Sequence, residues 1–202
     1  MKPSDLFVFG YFGYVSNQLD GQTVKTRMIH RLLEENTGYE IKYYDTELLK
    51  ANKFSLIVSL FRIIRAKHII YLPAQNNLRN FSPKLYFLSR LFHFKIHYFV
   101  VGGWLTQFVV ENTRIGEKLK SIAGIYVETR KMQEQLVKAS LFTNVIWFPN
   151  FRFKNAIPLQ KEPNSAKLKI VFLSRITKEK GIDLLFWFLE SLLEDQSENL
   201  RI

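Results

Sequence analysis

Short apolar runs, each followed by a stretch of helical length, recur along this chain, and the alternation restricts its fold more than any other feature. Residues 6–9, 40–44, 68–72, 96–101, 125–127 and 145–148 read as strands: they are short, rich in β-branched and aromatic residues, and bounded by glycine, proline or polar turns. Residues 23–35, 54–66, 83–92 and 129–139 read as the helices between them. Strand and helix alternating in this way build a parallel, doubly wound, Rossmann-like α/β sheet. Residues 1–152 are expected to form this N-terminal domain. Over residues 153–167 the periodicity lapses into Pro158, Pro163, Asn164 and Ser165 among charges, as in an interdomain linker. A strand over 170–173 and a helix over 182–194 then open a second Rossmann-like unit, 168–202, expected to hold only the first β-α unit of its domain.

Lysine and arginine number 29 against 18 acidic residues, a net charge of +11. Such a balance calls for an anionic partner: nucleic acid, a phosphate-bearing ligand or an acidic membrane surface. No recognition-helix or RNA-reading aromatic motif is present, so nucleic acid is not expected. The chain lacks cysteine, which excludes disulfides and thiolate metal sites and fits a reducing cytoplasm. With four histidines, no metal site is expected; His93 and His97 are four apart but straddle a helix-to-strand boundary. Gly10 and Gly13 do not complete Gly-x-Gly-x-x-Gly, and no P-loop occurs, so a dinucleotide or nucleoside triphosphate cradle is absent.

The joint between the strand at 170–173 and the helix at 182–194 carries Arg175, Lys178 and Lys180. Cations at a helix N-terminus oppose its dipole unless carboxylates offset them or an anion binds, and a diphosphate fits that position. A solvated basic turn is the alternative. Gly181 permits close backbone approach to a ligand. Gly102 and Gly103 end a strand on the side where open parallel sheets bind ligands, or they simply permit a tight turn. Glu128, at the end of another strand, suits either a sugar hydroxyl or a polar cap on the next helix.

In Asn17 with Gly21-Gln22-Thr23-Val24-Lys25-Thr26-Arg27, in Val101-Gly102-Gly103-Trp104, in Val127-Glu128-Thr129 with Met132 and Leu136, in Pro149-Asn150-Phe151, and in Phe172-Leu173-Ser174-Arg175-Ile176 with Lys180-Gly181, the chain resembles the family 4 retaining glycosyltransferases of GT-B fold. The likeness is strongest to those that build bacterial capsular polysaccharide, exopolysaccharide or O-antigen chains. It implies a nucleotide-sugar substrate, no bound cofactor and a lipid-linked or oligosaccharide acceptor. It also implies a donor diphosphate held by Arg175, Lys180, Gly181 and Gly21, and a sugar or acceptor pocket near Asn17, Gly102, Gly103 and Glu128. No catalytic residue is assigned: the resembled enzymes place a histidine near the end of the fourth strand, where this chain has glycines. Their donor domain continues beyond the point this sequence reaches, so the 202-residue chain alone is expected to be catalytically silent.

The helix expected over 54–66 is apolar on all but the stripe of Ser55, Ser59 and Arg62, so it is either buried or meets lipid. Residues 84–95 mix large aromatics with cations, as interfacial helices do. An anionic membrane surface is therefore a candidate partner, with the protein cytoplasmic and peripheral on the inner face. A non-catalytic interaction module and a basic nucleic-acid-binding domain are the alternatives from other classes.

Overall fold

Leu6-Phe7-Val8-Phe9-Gly10 has no polar side chain to offer water on either face, and all five residues are buried. This strand, β1, lies inside a six-stranded sheet with β2 (Lys42–Asp45), β3 (His68–Leu72), β4 (Lys95–Phe99), β5 (Gly124–Val127) and β6 (Val145–Trp147). The computed structural model describes residues 5–51, 54–140, 142–153, 172, 176 and 178–194. The strand order is β2-β1-β3-β4-β5-β6 and every pairing is parallel, which is the Rossmann-like doubly wound arrangement.

The chain steps one way from β1 to β2 and the other way in every later crossover. Right-handed crossovers must therefore place the first helix, α1 (Gly21–Thr37), on one face and the later helices on the other. Two separate apolar clusters bear this out. Ile29 and Leu33 of α1 pack on Leu6, Val8, Ile70 and Leu72. Opposite them, α3 (Ser55–Arg65), α4 (Gln75–Phe92), α5 (Leu105–Glu111), α6 (Thr113–Lys120) and α7 (Arg130–Ser140) cover Phe7, Phe9, Tyr71, Tyr98 and Val127. A short helix, α2 (Leu48–Ala51), leads into α3.

Three differences from the sequence expectation have local causes. Pro83 suggests a helix start, yet α4 begins at Gln75 and carries Pro83 in its interior, giving up one backbone hydrogen bond there. Between Gly103 and Gly124 no element is expected, because Asn112 interrupts the apolar period; α5 and α6 meet at that residue, whose backbone is extended out of the helical region. Glu128 does not cap α7. The Thr129 hydroxyl does so, accepting from the Met132 amide at 3.2 Å.

The chain divides into two compact units, residues 1–155 and 156–202. Within the second, a 3-10 turn over Lys178–Lys180 runs through Gly181 into α8 (Ile182–Glu194), the helix expected there. Gly181 adopts φ +75°, a left-handed conformation that a side chain would strain. The strand expected at 170–173, apart from Phe172, and the linker, apart from Phe153, lie outside the described residues.

On the α1 face, past the helix itself, three strands share a polar chain. His68 Nδ1 lies 3.0 Å from His97 Nε2, and His97 Nδ1 lies 3.1 Å from the Tyr126 hydroxyl. Burial lowers the His97 pKa to about 4, with the charges of His68 and Lys95 adding to the effect. Between pH 4 and the ordinary histidine range near pH 6.5, the unfolded chain thus binds a proton at this residue that the folded chain does not, and stability rises with pH across that window. Thermal melts between pH 7.5 and 4.5 should show a falling midpoint, and His97→Gln should flatten the part of the fall above pH 5. An unchanged slope in the variant would place the titration elsewhere.

Candidate functional site

Open parallel sheets bind ligands beyond the carboxyl ends of their strands, next to the point where the strand order reverses, here between β1 and β3. Gly10 ends β1 at that point. A Cβ there would come within 3.0 Å of Thr26 and 3.1 Å of Leu72, so its absence lets α1 sit close against the sheet.

The loop from Tyr11 to Asp20 is closed by its own partners. Asp45, at the end of β2, accepts from the Phe12 and Tyr14 amides, each at 3.0 Å. Glu47 accepts from the amides of Val15 at 2.9 Å and Ser16 at 3.3 Å, and from the Ser16 hydroxyl. Arg27 donates to the carbonyls of Phe12, Gly13 and Gln18. Two carboxylates thus occupy the amides that a phosphate would need, and a guanidinium gathers the carbonyls. Asn17, exposed on this loop, adopts φ 51°, which asparagine tolerates better than most residues. At the loop's end Asp20 caps α1: its carboxylate accepts from the Thr23 amide at 2.8 Å, and the Thr23 hydroxyl accepts from the Asp20 amide at 2.9 Å. Gly21 is exposed, with open space where a side chain would stand.

One turn further along α1, Lys25 reaches the ends of two strands. Its Nζ donates to the carbonyl of Val100, just past β4, at 3.0 Å, and to Glu128 Oε1, just past β5, at 2.6 Å. The Lys25 side chain is 5% exposed and that of Glu128 16%, so the pair is nearly out of water and its carboxylate is the member at the surface. Burial pulls the ammonium pKa below its usual value while Glu128 holds it up. Lys25 directs two of its three hydrogens at these acceptors; Glu128 Oε2 has no protein partner among the described residues and remains able to accept a hydrogen bond.

Around this pair the carboxyl edge is open on one side and aromatic on the other. Gly102 and Gly103 are exposed, and a side chain on Gly103 would meet nothing within 4 Å. Trp104 anchors the turn by donating its ring N–H to the Val101 carbonyl at 2.8 Å. Phe99 stacks on Tyr126 with ring centres 4.2 Å apart, Phe148 sets its edge against both, and Phe151 continues the series. Arg31 of α1 lies over Phe153 at 4.2 Å.

The sheet therefore brings Gly102, Gly103 and Glu128 to adjacent strand ends, and α1 carries Gly21 one turn from Lys25. Asn17 lies in the same loop region, whereas Lys180 and Gly181 belong to the second unit, where Lys180 is exposed. Arg175 lies outside the described residues. Sequence reasoning gives Lys25 no role of its own within the segment 21–27 and passes over Asp45 and Glu47. A helical period places Val24 inside α1, but the buried side is Thr23, Lys25, Thr26, Ile29 and His30. That polar side is the available signal: an amphipathic assignment for α1 is weak, and a weak apolar stripe beside a sheet implies polar burial. His93, the left-handed residue closing α4, is exposed, and no group of three or more metal-ligating side chains occurs among the described residues.

Removing the lysine strands a nearly buried carboxylate and a carbonyl, whereas Glu128→Gln keeps an acceptor for Nζ. Urea unfolding should show Lys25→Met destabilised by about 3–5 kcal/mol and Glu128→Gln by about 1–2 kcal/mol. Equal, small losses would mean the pair is solvated. Comparison of the chain with protein-family models, with curated proteins and with solved structures found no match.

Proposed function

We propose that the chain is part of a retaining glycosyltransferase that moves a sugar from a nucleoside diphosphate donor to a glycan acceptor of a cell-surface polysaccharide, with residues 1–155 as the acceptor-side unit. The observation that carries this reading is the Lys25–Glu128 pair at the carboxyl edge of the sheet, set beside the glycines that leave room for a ligand ring. The sequence resemblance supplies the reaction class; the parallel Rossmann-like sheet is the architecture that class requires.

The Lys25 ammonium, 2.6 Å from Glu128 Oε1, occupies one oxygen of the carboxylate. Glu128 then offers its other oxygen as a hydrogen-bond acceptor for a hydroxyl of the glycan acceptor. Lys25 is a positioning residue: it fixes the carboxylate from inside the fold and leaves Oε2 facing outward. Orientation of this kind lowers a barrier by holding reactants before the reaction begins. No step is assigned to the amides of the Tyr11–Asp20 loop, since Asp45 and Glu47 occupy those of Phe12, Tyr14, Val15 and Ser16. The diphosphate instead falls to cations. As the bond between sugar and diphosphate breaks, negative charge grows on the departing diphosphate, and cations such as Arg175 and Lys180 stabilise that charge more than the ground state. Gly181, with its left-handed backbone, brings the start of α8 close to the ligand.

Titration with uridine, guanosine and thymidine diphosphates should reveal weak, salt-sensitive binding. Arg175→Ala and Lys180→Ala should each lower it, by about 1.5–3 kcal/mol per lost charged hydrogen bond. Glu128→Gln should leave nucleoside diphosphate binding unchanged and weaken binding of the glycan acceptor. Failure of every nucleoside diphosphate to bind would overturn the reading, as would variants at 175 and 180 that bind like the parent.

A further inference from the structure

Between Glu47 and Glu111 the sequence contains no aspartate or glutamate and nine lysines and arginines. Most of the net charge of +11 therefore sits in one stretch, the one that contains α3 and α4. These helices are also where the largest apolar side chains reach the surface.

Unlike an ordinary surface helix, α3 carries apolar side chains on both sides, with Leu56 and Ile63 packed on the core. The side against the sheet is lined by Ser59 and Ile63, with the Ser55 hydroxyl bonded to Tyr44 at 2.7 Å. The side away from the sheet presents Ile57, Val58 and Phe61, each more than half exposed, with Phe54 at 77% just before the helix. Arg62 and Arg65 flank them in its last turn. Alongside, α4 repeats the combination: Phe87 is 66% exposed and Leu91 58%, with Lys84 and Arg90 exposed on the same helix. Contiguous apolar groups of this size on a surface mark an interaction site.

The charge selects the occupant. Two copies joined through this face would oppose Arg62, Arg65, Lys84 and Arg90 to one another with no acidic residue on either helix to offset them. An anionic bilayer offers what both features need, headgroups for the cations and acyl chains for the aromatics. No helix among the described residues is long and apolar enough to cross a membrane. At 11 residues, α3 spans only about 16 Å of a hydrocarbon core roughly 30 Å thick. Such a helix lies in the interface plane.

We infer that the outer faces of α3 and α4 form a docking surface for an anionic lipid bilayer, with Ile57, Phe61 and Phe87 entering the interface and Arg62, Arg65 and Lys84 meeting the headgroups. The inference is independent of the proposed sugar transfer, since none of these residues belongs to the carboxyl edge of the sheet.

Flotation of the whole chain with phosphatidylcholine vesicles, with and without phosphatidylglycerol, tests it. The chain should float with the anionic vesicles at low salt, stay behind with the neutral ones, and be released at high salt as the Debye length shrinks. Arg62→Gln with Arg65→Gln should weaken binding about fivefold per charge removed. Ile57→Ser with Phe61→Ser should weaken it at least about tenfold at an unchanged circular dichroism spectrum; if that spectrum changes, Phe87→Ser provides the same comparison from α4. Absence of binding to anionic vesicles, equal binding to neutral ones, or variants that float like the parent would overturn the inference. Self-association that Ile57→Ser with Phe61→Ser abolishes would assign the face to a second copy and overturn it equally.

Discussion

Chirality of the crossover connections sets the layout of this molecule. Because a parallel strand pair is joined by a right-handed crossover in nearly all cases, one reversal of direction after β2 is enough to put α1 on one face and the later helices of the first unit on the other. The single helix must then serve the whole of its face. Its apolar residues cover β1 and β3, and its buried cation, Lys25, extends to the ends of β4 and β5. Beyond its reach, aromatic rings and a histidine pair line the sheet among the described residues.

Burying an ammonium group is costly, and the arrangement offsets that cost with two acceptors placed by different strands. The result is a polar tie between elements 75 and 103 residues apart in sequence. Its side effect is a carboxylate fixed at the edge of the sheet with one oxygen turned outward. The same economy appears in the neighbouring loop, where Asp45 and Glu47 take up the amides of Phe12, Tyr14, Val15 and Ser16 and Arg27 the carbonyls of Phe12, Gly13 and Gln18.

Much of the fold was legible because strands buried on both faces are written as unbroken apolar runs, and β3 at 68–72 and α8 at 182–194 match the expectation at both ends. The misjudged elements are those whose signal was ambiguous. Pro83 is as common at a helix start as it is rare in a helix interior, so α4 was shortened by eight residues at its N-terminal side. The apolar positions Leu105, Phe108 and Val109 before Asn112, and Ile115 and Leu119 after it, are each too short a run to identify α5 and α6. At the site, Glu128 could be singled out by its place after a strand, but its partner could not: Lys25 reads as an exposed lysine until the helix is seen to turn its threonines inward. Hydrogen bonds between residues far apart in sequence leave no local pattern.

Strand β2 lies at the edge of the sheet, has four residues, and carries at its end Asp45 and two residues later Glu47, the carboxylates that hold the Tyr11–Asp20 loop. Half of the strand is exposed, and so is most of the loop. By surface position both belong with the parts of a protein that open readily. Their bonds make them one cooperative unit: the amides of Phe12, Tyr14 and Val15 can exchange their hydrogens with solvent only when Asp45 and Glu47 let go, and those side chains leave only when the strand frays. The loop beside the ligand edge therefore keeps time with the sheet's border and not with the solvent around it.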